Sequence, residues 1–266
     1  MDFDFVSRPA PAALAHCVET IWHARGQIGY RRERIAPTGS TVAGIVLGPP
    51  IRQTPLDGDP FLATTGFLIG PHDRPIVNEP TGDTWCVGIV ATPVGCRAVF
   101  GVDPAGIRGQ VTDWPPAAHL RNQLTDLTPV EAIALVADAL DPQPVPGLDR
   151  IADAVAALED DPTRGIAELA ADLGISHGHL DREFLRVVGV GPRVLARTLR
   201  VRRLLENIDV YGKVEWTALA GRLGWFDQAH LIRDFKRHTG VTPSEYQAAQ
   251  RREFDPAEAA PGFVPE

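Results

Sequence analysis

Apolar positions follow two rhythms along this chain, and the change of rhythm divides it. In the first half, Thr41–Leu47, Phe61–Ile69 and Thr84–Val90 are short β-favouring runs bounded by Gly, Pro and Asp, which predicts strands. Pro129–Leu140 sets Val130, Ile133, Ala134 and Ala137 at helical spacing and predicts an amphipathic helix. Asp141 to Gly147 then carries three prolines in seven residues, which stops a helix and favours an extended linker. From Leu148 onward the spacing is helical almost throughout. Ile151, Ala152, Val155 and Leu158 form one stripe, closed by Glu159-Asp160-Asp161-Pro162. The expected architecture is α+β. A mixed, sensor-like or oligomerisation domain spans 1–140, a linker 141–147, and an all-α domain 148–252. The acidic stretch 253–266, with Pro256, Pro261 and Pro265, is expected to be disordered.

The helical part contains an internal repeat. Ile166, Leu169, Ala170, Leu173 and Gly174 recur 50 residues later as Trp216, Leu219, Ala220, Leu223 and Gly224. One residue is then inserted and the offset becomes 51, pairing Ser176, His179, Leu180, Arg182, Glu183, Phe184, Gly189, Val190 and Pro192 with Asp227, His230, Leu231, Arg233, Asp234, Phe235, Gly240, Val241 and Pro243. Fourteen matching or similar positions are too many for chance. Each copy reads as a helix, a tight turn at Gly174 or Gly224, and a second helix opened by Ser176 or Asp227, both strong N-cap residues. That is helix-turn-helix geometry, whose second helix can enter a major groove.

With Leu180 and Phe184 inward, the first recognition helix presents His177, Gly178, Asp181 and Arg182; the second presents Gln228, Ala229, Ile232 and Arg233. Arg can bond guanine bidentately, Gln can bond adenine, and Ala or Ile can touch the thymine methyl. The second copy is the better equipped, because Gly178 offers no side chain and Asp181 repels phosphates. Pro192–Asn207 reads as a helix joining the copies, with proline in its first turn. Arg200 and Arg203 on it, with Lys236 and Arg237 late in the second recognition helix, are the candidates for phosphate contact.

Over about Leu148–Arg251 the sequence resembles the AraC/XylS family of bacterial transcription regulators. The resemblance rests on Glu168-Leu-Ala-Ala-Asp-Leu-Gly-Ile-Ser176 with Leu180-Asp-Arg-Glu-Phe184, and more specifically on Leu223-Gly-Trp-Phe-Asp-Gln-Ala-His-Leu-Ile-Arg-Asp-Phe-Lys-Arg-His-Thr-Gly-Val-Thr-Pro-Ser-Glu-Tyr246. It implies that the outward residues above face the groove, although Gly178 and Asp181 depart from a well-armed first reader. Leu14–Trp22 and Val87–Asp113 are similar to stretches of the sensor-type domain of some members. The function expected is sequence-specific transcription regulation. The partners expected are double-stranded DNA, a small-molecule effector, RNA polymerase and a second copy of the chain.

Composition tests that expectation through charge. A net charge of -8 looks wrong for a DNA binder, yet residues 148–252 carry +1, and Arg182–Arg203 sets seven arginines against one acid, Glu183. Local phosphate contacts govern affinity, so the global sum does not exclude DNA. The most apolar stretch, Cys86 to Val102, is broken by Pro93 and Arg97, so no membrane partner is expected. Met1-Asp2-Phe3-Asp4-Phe5 lacks the basic start of a signal peptide, and a cytoplasmic location is expected. Cys17, Cys86, Cys96, His16, His23, His72-Asp73 and His119 form no CxxC, HExxH, GxSxG or Walker A spacing, so neither enzyme, cofactor nor metal is expected. The competing readings are an enzymatic first half tethered to DNA and a helical protein-interaction module.

Overall fold

The structure, a computed structural model, describes residues 3–254 and 262–266. The first part of the chain folds into two antiparallel sheets. In chain order the strands are β1 (Phe3–Pro9), β2 (Val18–Gly26), β3 (Glu33–Ile35), β4 (Val42–Val46), β5 (Ile51–Pro55), β6 (Phe61–Ala63), β7 (Gly66–Ile69), β8 (Ile76–Pro80), β9 (Thr84–Ala91) and β10 (Val111–Thr112). β11 (Phe263–Pro265) joins them from the far end of the chain. One sheet runs β1-β2-β9-β4-β7-β10 and the other β11-β3-β8-β5-β6. The expected strands at 41–47 and 84–90 are β4 and β9, whereas Phe61–Ile69 divides into β6 and β7 on different sheets.

Val46, Ile51, Ala63, Phe67, Ile69, Ile76 and Cys86 fill the space between the sheets, with Trp22 against them. Two glycines make this packing possible. A Cβ on Gly44 would stand 2.2 Å from the Phe67 ring, and one on Gly88 would stand 2.1 Å from the Trp22 ring. The sandwich interior is thus closed by aromatic rings lying on bare backbone. The outer face of the six-stranded sheet buries Ile21, Ala43, Ile45, Val87 and Ile89 under helices. These are α1 (Gly95–Phe100), α2 (Pro116–Leu124) and α3 (Pro129–Ala139), and α3 opens with a capping box between Thr128 and Glu131.

Residues 141–146 run without regular structure, and the Gln143 N–H donates to the Ala98 carbonyl at 2.8 Å, so the segment lies pinned to the first domain. Then come α4 (Leu148–Asp160), α5 (Ile166–Asp172), α6 (His177–Val187), α7 (Pro192–Asn207), α8 (Trp216–Arg222), α9 (Gln228–Thr239) and α10 (Pro243–Glu253). They enclose two separate cores. α7 belongs to both: Leu195, Ala196 and Leu199 enter the first, and Val201, Leu204 and Leu205 enter the second. A single helix of 16 residues therefore holds both halves in one body.

The sequence expectation of disorder over 253–266 fails at its two ends. Glu253 closes α10, and Phe263–Pro265 pairs antiparallel with β3, Val264 lying opposite Arg34 with its side chain buried. The Gln250 side-chain amide donates to the Phe263 carbonyl at 2.6 Å, and the Glu266 carboxylate pairs with Arg32 and Arg34. The open edge of β3 offers unpaired backbone groups that a short apolar run can satisfy, and Pro265 fits an edge position because it has no N–H to pair. The remainder of that expectation, residues 255–261, lies outside the described residues.

Candidate nucleic-acid interface

The two repeats fold alike at their turns. Gly174 (φ 66°) and Gly224 (φ 79°) end α5 and α8 in the left-handed region that favours glycine. The next amide folds back the same way in each copy, Ile175 to the Ala170 carbonyl at 3.0 Å and Trp225 to that of Ala220 at 2.9 Å. Ser176 Oγ then accepts the His179 N–H at 3.3 Å, and Asp227 Oδ1 accepts the His230 N–H at 2.7 Å, so each recognition helix is capped by a side chain. Leu180, Phe184 and Val187 anchor α6; Leu231 and Phe235 anchor α9, where Phe235 meets Tyr246 edge-on at 5.5 Å.

The opposite faces differ between copies. On α6, His177 faces Asp181 at 3.8 Å, Gly178 is bare, and Arg182 is exposed. On α9, Gln228, Ala229 and Arg233 are exposed, while Ile232 is half-buried against the second core. Gln228 Oε1 accepts the Thr217 hydroxyl at 3.1 Å, which fixes the amide. Neither Arg182 nor Arg233 makes a hydrogen bond or ion pair among the described residues.

The expected phosphate contacts fare differently. Arg200 donates to the carbonyls of Gly224 and Pro162, both at 3.2 Å, and stands over the Trp225 ring at 5.5 Å. Burial lowers the pKa of this guanidinium. Arg203 donates to the Glu159 and Asp160 carbonyls at 2.5 and 2.9 Å. Arg237 binds the Asp73 carboxylate of the first domain at 2.6 Å. Burial pushes the Asp73 carboxyl up, but the Arg237 hydrogen bonds and charge outweigh it and hold the group below its ordinary value. Three of the four candidates are thus committed to the fold, because their donors reach carbonyls and a carboxylate that lie far away in sequence. Lys236 is exposed.

Behind α9 lies a buried polar cluster. Asp234 accepts the Trp225 indole N–H at 3.0 Å, with His230 at 3.5 Å and Arg197 at 3.8 Å. His238 Nδ1 meets the Asp234 carbonyl at 2.8 Å, and His72 Nδ1 meets that of Gly70 at the same distance. Burial lowers the pKa of both imidazoles. The first domain also grips the helices through Arg34 on the Gly240 carbonyl at 3.0 Å and Glu19 on Arg202 at 2.6 Å.

The sequence reading missed two residues at this interface. Phe226 is 93% exposed beside the start of α9, and its signal was the one-residue insertion in the second repeat. Asp73 enters the sequence reading only beside His72 as possible site chemistry, and nothing in the sequence points to Arg237 as its partner. Among the described residues no cluster of three His, Cys, Asp or Glu could hold a metal, and no helix is long and apolar enough to cross a membrane. Burial raises the thiols of Cys17 and Cys96 to about 11 and of Cys86 to about 12, which leaves them unreactive near neutrality.

Residues 169–249 match a family described as a helix-turn-helix domain, and residues 7–113 match a domain of unknown function (DUF6597). The chain is similar in fold to ToxT from Vibrio cholerae, with 10% identity over 93% of this chain and 98% of that one, at a TM-score of 0.50. It is also similar to an AraC-type DNA-binding transcriptional regulator from Chromobacterium violaceum, at 22% identity over 40% of this chain and 96% of that one, with a TM-score of 0.35. A further similarity is to the DNA-binding domain of AdpA in complex with a target DNA, at 29% identity over 41% and 96% of the two chains, with a TM-score of 0.33. No curated protein matches.

Proposed function

We propose, from the premise that this chain is a regulator of the AraC/XylS type, that it binds double-stranded DNA sequence-specifically through α6 and α9 and answers a small-molecule signal received by its two-sheet domain. The observation that carries this reading is the pair of capped recognition helices, held together by α7, whose outward arginines stand at the same turn with no partner in the fold. Arg233 can take guanine, Gln228 adenine and Ala229 a thymine methyl, which makes α9 the principal reader. Arg182 acts beside bare Gly178 and within a turn of His177 and Asp181, which stand 3.8 Å apart, so α6 adds more affinity than specificity. Lys236 is the phosphate contact left open to solvent.

The signal would act on the contacts between domains. Asp73–Arg237, Arg34–Gly240 and Glu19–Arg202 all tie helices of the DNA-binding part to the sandwich. A ligand that favours one arrangement of these contacts shifts the population that can dock on DNA. RNA polymerase and a second copy of the chain are the protein partners expected of that role. The test is to select a duplex from a random-sequence pool with the full chain and titrate it at rising salt. Specific binding should exceed random binding by at least about 1,000-fold and weaken steeply between about 50 and 200 mM salt. Equal affinity for selected and random duplexes would overturn the reading.

A further inference from the structure

The second helix-turn-helix differs from the first by one residue, and that residue is Phe226. Ile175 and Trp225 occupy the same place in the two turns, since each donates its amide to the carbonyl five residues back. In the first copy Ile175 is followed at once by the cap Ser176; in the second, Phe226 stands between Trp225 and the cap Asp227. The insertion is held outward from both sides. Trp225 is buried, with its indole N–H fixed on Asp234, and the Asp227 side chain is fixed on the His230 amide. An apolar residue just before an N-cap ordinarily staples onto the fourth helical residue, here Leu231. Leu231 is wholly consumed by the core, and Phe226 is left 93% exposed. A phenyl group so bare forgoes most of the gain that burial would bring.

The surroundings say what could cover it. Ala229 is exposed one turn on, and Arg222 and Arg233 are exposed in the helices on either side of the turn. An apolar spot between cations fits a polyanion that carries an apolar feature of its own. In the major groove that feature is the C5-methyl group of thymine, and residues at the start of a recognition helix are the ones that reach base edges. We propose that Phe226 is a specificity-determining residue that packs against a thymine methyl at the edge of the α9 site, giving the second reader an apolar contact that the first lacks. This rests on the DNA-binding reading above.

The experiment uses the full chain and a duplex it selects from a random-sequence pool. Each thymine in the site is replaced in turn by deoxyuridine, which removes only the methyl group, and binding is compared for wild type, Phe226→Ser and Phe226→Leu. Wild type should lose about fourfold at one thymine, the factor that one buried methyl corresponds to. Phe226→Ser should bind the parent site about tenfold more weakly and be insensitive to that replacement, while Phe226→Leu keeps part of both effects. The unfolding midpoint should not move, because the ring touches little of its own protein. If wild type selects no sequence, the DNA-binding reading falls. If it selects one and Phe226→Ser binds it equally well, or still senses the missing methyl, the role of Phe226 falls while the reading stands. A change of oligomeric state in Phe226→Ser, with DNA binding unaltered, would assign the ring to a second copy and equally overturn the proposal.

Discussion

Arg203→Ala separates two roles that look identical in sequence. A phosphate contact predicts weaker DNA binding and an unchanged fold; the structure predicts the reverse. Arg203 Nη2 donates to the Glu159 and Asp160 carbonyls at the end of α4, groups that have no partner within the helix. A cation at a helix C-terminus contributes about 0.3–1 kcal/mol at the surface and up to ~2 kcal/mol when partly buried. Arg203 is half-buried, and water can replace part of what it supplies, so the loss should be about 1–2 kcal/mol. α4 contributes fully buried Ile151 and Leu158 to the first helical core, so the loss is felt by the whole unit. At about 2–4 °C per kcal/mol for a chain of this size, the thermal midpoint should fall by about 2–8 °C. Arg203→Lys should recover part of it, because both bonds leave from Nη2 alone and an ammonium can also offer two donors from one nitrogen, on a shorter side chain. Thermal unfolding of each variant, followed by a salt titration of DNA binding, gives both readouts. An unmoved midpoint with a salt slope lowered by about 0.9, the value of one lost phosphate contact, would refute the capping role.

Three further outcomes follow from other parts of the fold. Gly88→Val should destabilise the sandwich by about 1–3 kcal/mol or more, since its Cβ would stand 2.1 Å from the Trp22 ring; chemical denaturation that leaves the midpoint unchanged would show that the ring can move aside. Asp73→Ala should free Arg237 and steepen the salt dependence of DNA binding by about 0.9 in slope, and an unaltered slope would show that Arg237 does not reach DNA when released. Burial holds His72 and His238 below the ordinary imidazole value of 6.5, so the unfolded chain takes up their protons first on acidification. Their stabilisation is complete above about 6.5 and is lost as pH falls from there towards the lowered values. Denaturation from pH 7.5 to 5 should therefore cost wild type more than His72→Gln/His238→Gln, and parallel curves would contradict this.

The helical part was legible because several local rules agreed twice over. The buried stripe, the glycine at the turn and the polar cap each appear in both copies, and propensity, periodicity and capping point to one structure. The sandwich was harder to read because its evidence is non-local. β2 pairs with β9 across the sheet, and Val18–Gly26 shows no clean alternation because both of its faces are covered. Thr64 and Thr65 do not punctuate the run from Phe61 to Ile69, so two strands read as one. The arginines' partners within the fold were hidden for a related reason: a cationic side chain does not announce its acceptor, and those of Arg200 and Arg237 lie up to 38 and 164 residues away. Asp73, buried Glu33 and the strand at 263–265 acquire their roles only from neighbours brought in by the fold.

The most direct test of two unequal readers held by one helix is a hydroxyl-radical footprint of the full chain on its selected duplex, repeated with Arg182→Ala and Arg233→Ala. Wild type should protect two patches on one face of the duplex, about one helical turn or 34 Å apart. Arg233→Ala should lose one patch and relax the preference at one base pair, costing about 1–3 kcal/mol. Arg182→Ala should weaken the other patch with base preference kept. A single protected patch, or base preference lost with Arg182→Ala and retained with Arg233→Ala, would contradict DNA reading by α6 and α9 as ranked here.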